Sequence, residues 1–143
     1  MNDAATESLH LKDICICLAG RELLKVNTRI APGEVLTVMG PSGSGKSTLL
    51  AFVAGFLDDT FDARGEVRLG EQNLLTLPAE QRGIGLLFQD PLLFPHLNVA
   101  ENLRFGLPRR TPDKHQQIHQ ALQQIGLAGF ENRDPTTLSG GQQ

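Results

Sequence analysis

Residues 34–54 read Glu34-Val35-Leu36-Thr37-Val38-Met39-Gly40-Pro41-Ser42-Gly43-Ser44-Gly45-Lys46-Ser47-Thr48-Leu49-Leu50-Ala51-Phe52-Val53-Ala54. The apolar run Glu34–Met39 has the length and composition of a buried parallel strand. Residues 47–54 are helix-compatible and stop at Gly55, a residue suited to a left-handed helix end. Between them the pattern G-x-x-x-x-G-K-[ST] falls on Gly40, Gly45, Lys46 and Ser47, within the loop Gly40, Pro41, Ser42, Gly43, Ser44, Gly45, Lys46, Ser47, Thr48. Glycines let the backbone wrap closely around an anion with successive N–H groups turned inward. Lys46 supplies a mobile positive charge for β- and γ-phosphates, and the Ser47 hydroxyl is a ligand type suited to Mg²⁺. A helix opening at the end of the loop directs the positive end of its dipole at the same phosphates. Strand, glycine loop and helix together therefore predict a nucleotide phosphate site.

Working outward, 143 residues with 40% hydrophobic content and a formal net charge of −3 suit one soluble globular unit. Slight acidity and the lack of a basic stripe argue against nucleic acid as a partner. Met1–Glu7 has no basic region leading into an apolar core, so no signal peptide is expected there. No segment approaches the roughly 18 consecutive apolar residues of a membrane span, so any membrane contact is expected through a partner. Cys15 and Cys17 sit two apart in an apolar stretch. On a strand they share one face, which predicts core packing rather than bridging and suits a reducing cytoplasm.

Residues 9–40 read as strands and turns, with Leu9–Ile14 partly alternating, a turn at Gly20-Arg21 and another over Ala31–Glu34. Asp58–Asp62 is polar and turn-like, Gly65–Gly70 reads as a short strand entering a turn, and Ile84–Phe88 is a second buried-strand candidate ending at Gln89. From about residue 90 the character becomes helical. Val99–Leu103 begins a helix, and Ile118, Leu122 and Ile125 recur at helical spacing over 113–126. His115 and His119, four apart, read as a solvated face because no third metal ligand is near.

At the far end stands Leu138-Ser139-Gly140-Gly141-Gln142-Gln143. Together with the loop at 40–48 and Gln89 at the end of an apolar run, this order of motifs resembles the ATP-binding cassette ATPases, the nucleotide-binding subunits of ABC transporters. The resemblance covers essentially the whole chain: a Walker A loop at 40–48, a Q-loop glutamine at Gln89 and an LSGGQ signature at 138–142. It implies an α/β, P-loop NTPase-like fold, with antiparallel strands and a parallel-sheet core over residues 1–89. Residues 90–143 would form an incomplete helical subdomain. It also implies that ATP and Mg²⁺ are bound, with Lys46 and Gln89 as catalytic residues and Ser47 and Gln89 toward the metal. Two such subunits would face each other head to tail. Leu138, Ser139, Gly140, Gly141 and Gln142 would then contact the nucleotide held by the partner, with a helix N-terminus contributing there. The run Phe88–Leu103 looks like that of bacterial importer ATPases. Leu92, Leu93, Phe94 and Leu97 would be the floor of a groove for a transmembrane permease subunit, or equally the core of the helical part. The implied location is cytoplasmic, peripheral on the inner face of the cell membrane.

The sequence departs from this family in two places. The adenine-stacking aromatic, usually Tyr near the end of the first strand, falls on Leu18, and the chain has no Tyr or Trp. Leucine lacks the ring's contribution of about 0.5–1.5 kcal/mol, which predicts weaker, less base-selective binding. The second departure is that the Walker B aspartate, general-base glutamate and switch histidine of the family would lie beyond Gln143. The expectation is a truncated copy, lacking the C-terminal half of the cassette and hydrolysing ATP poorly alone. A nucleotide-binding-only module and a non-transport soluble cassette protein are the alternatives. The transported substrate is not legible in these residues.

Overall fold

The computed structural model describes residues 7–143; the expectation of no signal peptide rests mainly on Met1–Thr6, outside the described residues. Two compact units divide the chain, Met1–Leu86 and Leu87–Gln143.

The first unit is built on a hairpin. Strands β1 (Leu9–Leu18) and β2 (Arg21–Ile30) are joined by Ala19 and Gly20, with φ of 48° and 77°. Two left-handed residues in a two-residue loop match the twist of the flanking strands. Strand β3 (Phe61–Leu69) pairs with the other edge of β1, and the short β4 (Gln72–Asn73) pairs with β3. The order is β2-β1-β3-β4, and every pairing is antiparallel. β3 begins earlier than the predicted strand at Gly65, because the polar-looking stretch 61–64 alternates. Phe61 and Ala63 pack against the core, whereas Asp62 and Arg64 occupy the alternate positions.

Asp13 interrupts β1. Its φ is 49°, and the register slips there against both neighbours. The extra residue resets the side-chain phase, so Leu11, Ile14 and Ile16 share one buried face. Gly65 accommodates the bulge: a Cβ there would meet Asp13 O, Ile14 Cα and Lys12 O, each at 2.8 Å, and its φ is 122°. The cysteines do share a face, with Sγ atoms 3.9 Å apart and both thiols free. That face is not the core face, however. Cys15 is buried between its register partners Lys25 and Arg64, away from the apolar cluster. Burial pushes the Cys17 thiol up, and the adjacent Cys15 adds to the shift.

Helix α1 (Lys46–Ala54) lays Leu49 and Val53 against Leu11, Ile14, Ile16, Val67 and Leu74. It ends at Gly55, φ 92°, whose N–H donates to Ala51 O and Phe52 O. Arg82 reaches the same end from 30 residues away and donates to Phe52 O at 2.9 Å and Val53 O at 3.1 Å. Phe52 O also takes the longer Gly55 N–H bond at 3.3 Å, whereas Val53 O is an end carbonyl that the helix itself cannot satisfy.

The structure corrects two expected strands. Glu34–Met39 carries no ladder, and Val35 and Met39 are each 87% exposed. Ile84–Phe88 is likewise unpaired, with Leu87 95% exposed and only Ile84 packed against the core. Apolar composition suits a segment to the interior of a sheet. The strand forms only when neighbours take its N–H and C=O groups, and among the described residues no ladder reaches either run.

The second unit holds α2 (Val99–Gly106) and α3 (Lys114–Gln124). A capping box opens α2: Glu101 N–H donates to Asn98 Oδ1, and Asn98 N–H donates to Glu101 Oε2, both at 2.8 Å. Val99, Ile118, Leu122 and Leu138 form its core, flanked by Leu107, Leu127 and Phe130. Ile125, expected on the apolar stripe, instead ends α3 and is 67% exposed, because the chain turns at Gly126 (φ 74°). His119 is tied down rather than freely solvated: Nδ1 lies 2.8 Å from Glu131 Oε1, and Gln123 Nε2 lies 3.0 Å from Nε2. Among the described residues, no three His, Cys, Asp or Glu side chains could hold a metal ion.

Candidate phosphate-binding site

Gly40–Thr48 curls in front of α1. Gly43 and Gly45 have φ of 79° and 84°, values that an L side chain rarely adopts. Gly45 is buried against the hairpin, where a Cβ would meet Leu24 Cβ at 3.3 Å and Leu23 Cβ at 3.5 Å. Gly40 is tighter still against Ser44, since a Cβ there would lie 2.9 Å from Ser44 Oγ. Ser44 N–H closes the loop onto Pro41 O at 3.3 Å. The lysine folds back over the loop: Lys46 Nζ donates to Gly40 O at 2.9 Å, Pro41 O at 2.7 Å and Ser44 Oγ at 3.4 Å.

No side chain caps the N-terminus of α1, and Gly45 at the cap position has none to offer. The first-turn N–H groups and the positive end of the helix dipole are thus left for an anion, with an ammonium group beside them. Pro41, Ser42, Gly43 and Ser47 are exposed, and Ser44 and Thr48 are partly so. This donor set has the chemistry of a polyphosphate site. Ser47, exposed on the first turn, fits a Mg²⁺ ligand.

The remaining sequence-derived residues belong to the second unit. Gln89 is exposed in an irregular segment. Leu138 is buried in the helical core, and Ser139-Gly140-Gly141 form a turn outside it. Gln142 N–H donates to Ser139 O at 2.8 Å while Gln142 Oε1 accepts from Ser139 N–H at 3.0 Å, so the glutamine folds back across the glycines. Just upstream, Asp134 Oδ1 accepts from Thr136 N–H at 2.8 Å and Thr136 Oγ1 at 2.7 Å. The Thr136 hydroxyl and N–H hold the Asp134 carboxyl below the usual aspartate range. A family model described as ABC transporter matches residues 23–143, from the β2 strand through loop and signature turn. The chain belongs to this ABC transporter family.

Among curated ABC proteins, the chain is 42% identical over 137 residues to the ABC transporter ATP-binding protein YnjD of Escherichia coli, covering 94% of this chain and 63% of that protein. It is 42% identical over 125 residues to the thiamine import ATP-binding protein ThiQ of Vibrio parahaemolyticus, covering 85% and 52%. It is 39% identical over 139 residues to the spermidine/putrescine import ATP-binding protein PotA of Vibrio cholerae, covering 94% and 36%. The chain thus spans between about a third and two thirds of the length of these relatives. No helix among the described residues is long and apolar enough to cross a membrane.

Of Leu92, Leu93, Phe94 and Leu97, Leu92 and Phe94 are exposed, whereas Leu93 and Leu97 are half-buried and Leu93 lines a cavity with Val99, Leu122, Leu127 and Leu138 of the helical core. Leu92 is 72% exposed, and the Phe94 ring meets Phe105 edge-on at 4.7 Å. Asn102 organises this stretch: its Oδ1 accepts from Phe94 N–H, and its amide donates to Phe94 O, Leu97 O and Asn98 O at 3.0–3.2 Å. Sequence reading missed Asn102, although an asparagine inside a helix is itself a signal because it favours bonding non-helical backbone. The Asp134-Pro135-Thr136-Thr137 turn was legible in the same way. Arg82 left no local signal, since its partners lie in a helix far away in sequence.

Proposed function

We propose that this chain supplies the ATP-binding part of an ABC importer subunit, coupling Mg-ATP binding and hydrolysis to transport through a membrane permease. The observation that carries this reading is the loop Gly40–Thr48, with Lys46 folded over it and an uncapped α1 behind it. On binding, Lys46 Nζ exchanges the carbonyls of Gly40 and Pro41 for β- and γ-phosphate oxygens, while first-turn N–H groups take the remaining oxygens. Ser47 would ligate Mg²⁺, which when bound neutralises phosphate charge. The turn Ser139-Gly140-Gly141, stiffened by Gln142 and anchored through Leu138, faces the nucleotide of a second ABC subunit in a head-to-tail dimer.

The partly exposed apolar run Leu92–Leu97 receives the permease, so the protein works in the cytoplasm, peripheral on the inner face of the cell membrane. The import names of the ThiQ and PotA relatives support this direction of transport. The test is calorimetric binding of Mg-ATP, with phosphate release measured in parallel, on the chain and on Lys46→Ala. Loss of the charged donor is expected to weaken binding at least about tenfold. Equal binding by both proteins would refute the site.

A further inference from the structure

The phosphate loop accounts for one end of a nucleotide; the sheet beside it presents an apolar row toward the other. Gly45 fixes the loop against Leu23 and Leu24 of β2. Leu24 is in register with Ile16 of β1, and Ile16 with Ala63 of β3, forming one row across the sheet. The next row on that face, toward the hairpin turn, is Leu18 of β1 beside Phe61 of β3. From strand spacing and rise, Leu18 lies about 8 Å from Leu24 and Phe61 about 12 Å. Ribose and base span such a gap once the phosphates are seated at the loop.

We propose that Phe61 is the ring on which the nucleotide base stacks, replacing from the neighbouring strand the aromatic that Leu18 does not provide. This rests on the nucleotide reading above. Phe61 is partly buried: it packs against the core that includes Ile14, Ile16 and Val67, and remains partly open to solvent. Leu18, 38% exposed, extends the apolar surface at its side. Phe52 sits in the last turn of α1, and Phe56 follows Gly55 at the end remote from Lys46, so neither shares this position. The ring is also held in place. Asp58 Oδ1 accepts from Thr60 N–H at 2.9 Å, and Phe61 N–H donates to Asp58 O at 3.1 Å, fixing the first residue of β3. A phenyl face flanked by leucine reads the π-face of a base and not its hydrogen-bonding edge, so adenine and guanine nucleotides are accepted alike.

The chain contains no Trp, so Phe61→Trp installs a single indole reporter at the proposed platform. The full chain carrying it is titrated with Mg-ATP, Mg-GTP and Mg-tripolyphosphate, with binding followed independently by calorimetry. The expected result is a change in indole emission with both nucleotides and none with tripolyphosphate. Phe61→Leu, which keeps an apolar side chain, should weaken ATP roughly 3- to 10-fold and leave tripolyphosphate affinity unchanged. Calorimetric ATP binding with a silent indole overturns the assignment, as does an equal loss of both ligands in Phe61→Leu. If the unsubstituted chain binds neither ATP nor tripolyphosphate, the phosphate reading fails and this one with it.

Discussion

Replacing Arg82 by Ala removes a tertiary cap from the helix that carries Lys46. The guanidinium makes three hydrogen bonds: Nε to Leu77 O at 3.0 Å, and Nη1 to Phe52 O at 2.9 Å and to Val53 O at 3.1 Å. Two of these acceptors are end-of-helix carbonyls, where a cation also meets the negative end of the dipole. Bonds to a charged group contribute about 1.5–3 kcal/mol each when considered singly. Three bonds sharing one partly exposed guanidinium contribute less than their sum, and water reaches some acceptors once Arg82 is gone. The expected loss is therefore about 2 kcal/mol. Lysine keeps the charge but not the planar fork, so Arg82→Lys should recover about half. Urea unfolding followed by circular dichroism gives the total, and hydrogen exchange at Gly55 and Phe56 locates it, since both N–H groups donate to Ala51 O at this helix end. A loss below about 0.5 kcal/mol would refute the reasoning, as would full recovery by lysine.

Two further outcomes follow from the backbone and from titration. Gly65→Ala forces a Cβ to 2.8 Å from three backbone atoms at φ 122°, and should cost about 3 kcal/mol in urea unfolding. Gly20→Ala, at φ 77° with nothing within 4 Å, should cost about 1 kcal/mol, and similar losses at both positions would remove the steric argument for the bulge. Asp134 titrates below its ordinary value because Thr136 donates to it. Its folded pKa is depressed, so its stabilisation is complete above the unfolded value, about 3.9, and is lost as pH falls through the folded value. Wild-type chain and Asp134→Asn, compared by urea midpoint from pH 6 down to pH 2.5, should therefore differ in acid slope. Parallel acid slopes would show that Asp134 contributes nothing to it.

Legibility in the sequence followed the range of the interactions involved. The glycine loop, the Gly20 turn and the helix beginning at Val99 depend on residues within a few positions of one another, so their residue types carry the information. Cys15 and Cys17 were correctly placed on one strand face, but which face was buried depended on the bulge at Asp13. That bulge depends in turn on Gly65 in another strand. Ile125 looked like the next apolar residue of a helical stripe, but the turn at Gly126 moved it out of the helix.

The sequence alone determined the family, the phosphate loop and the charge that serves it, because a backbone that must approach an anion accepts few residue types. Tertiary structure alone decided that 34–39 and 84–88 stand unpaired, that Arg82 closes α1 and that Phe61 stands beside Leu18. Each of these requires a partner distant in the chain, and an apolar run or a lone arginine does not encode which partner it will meet.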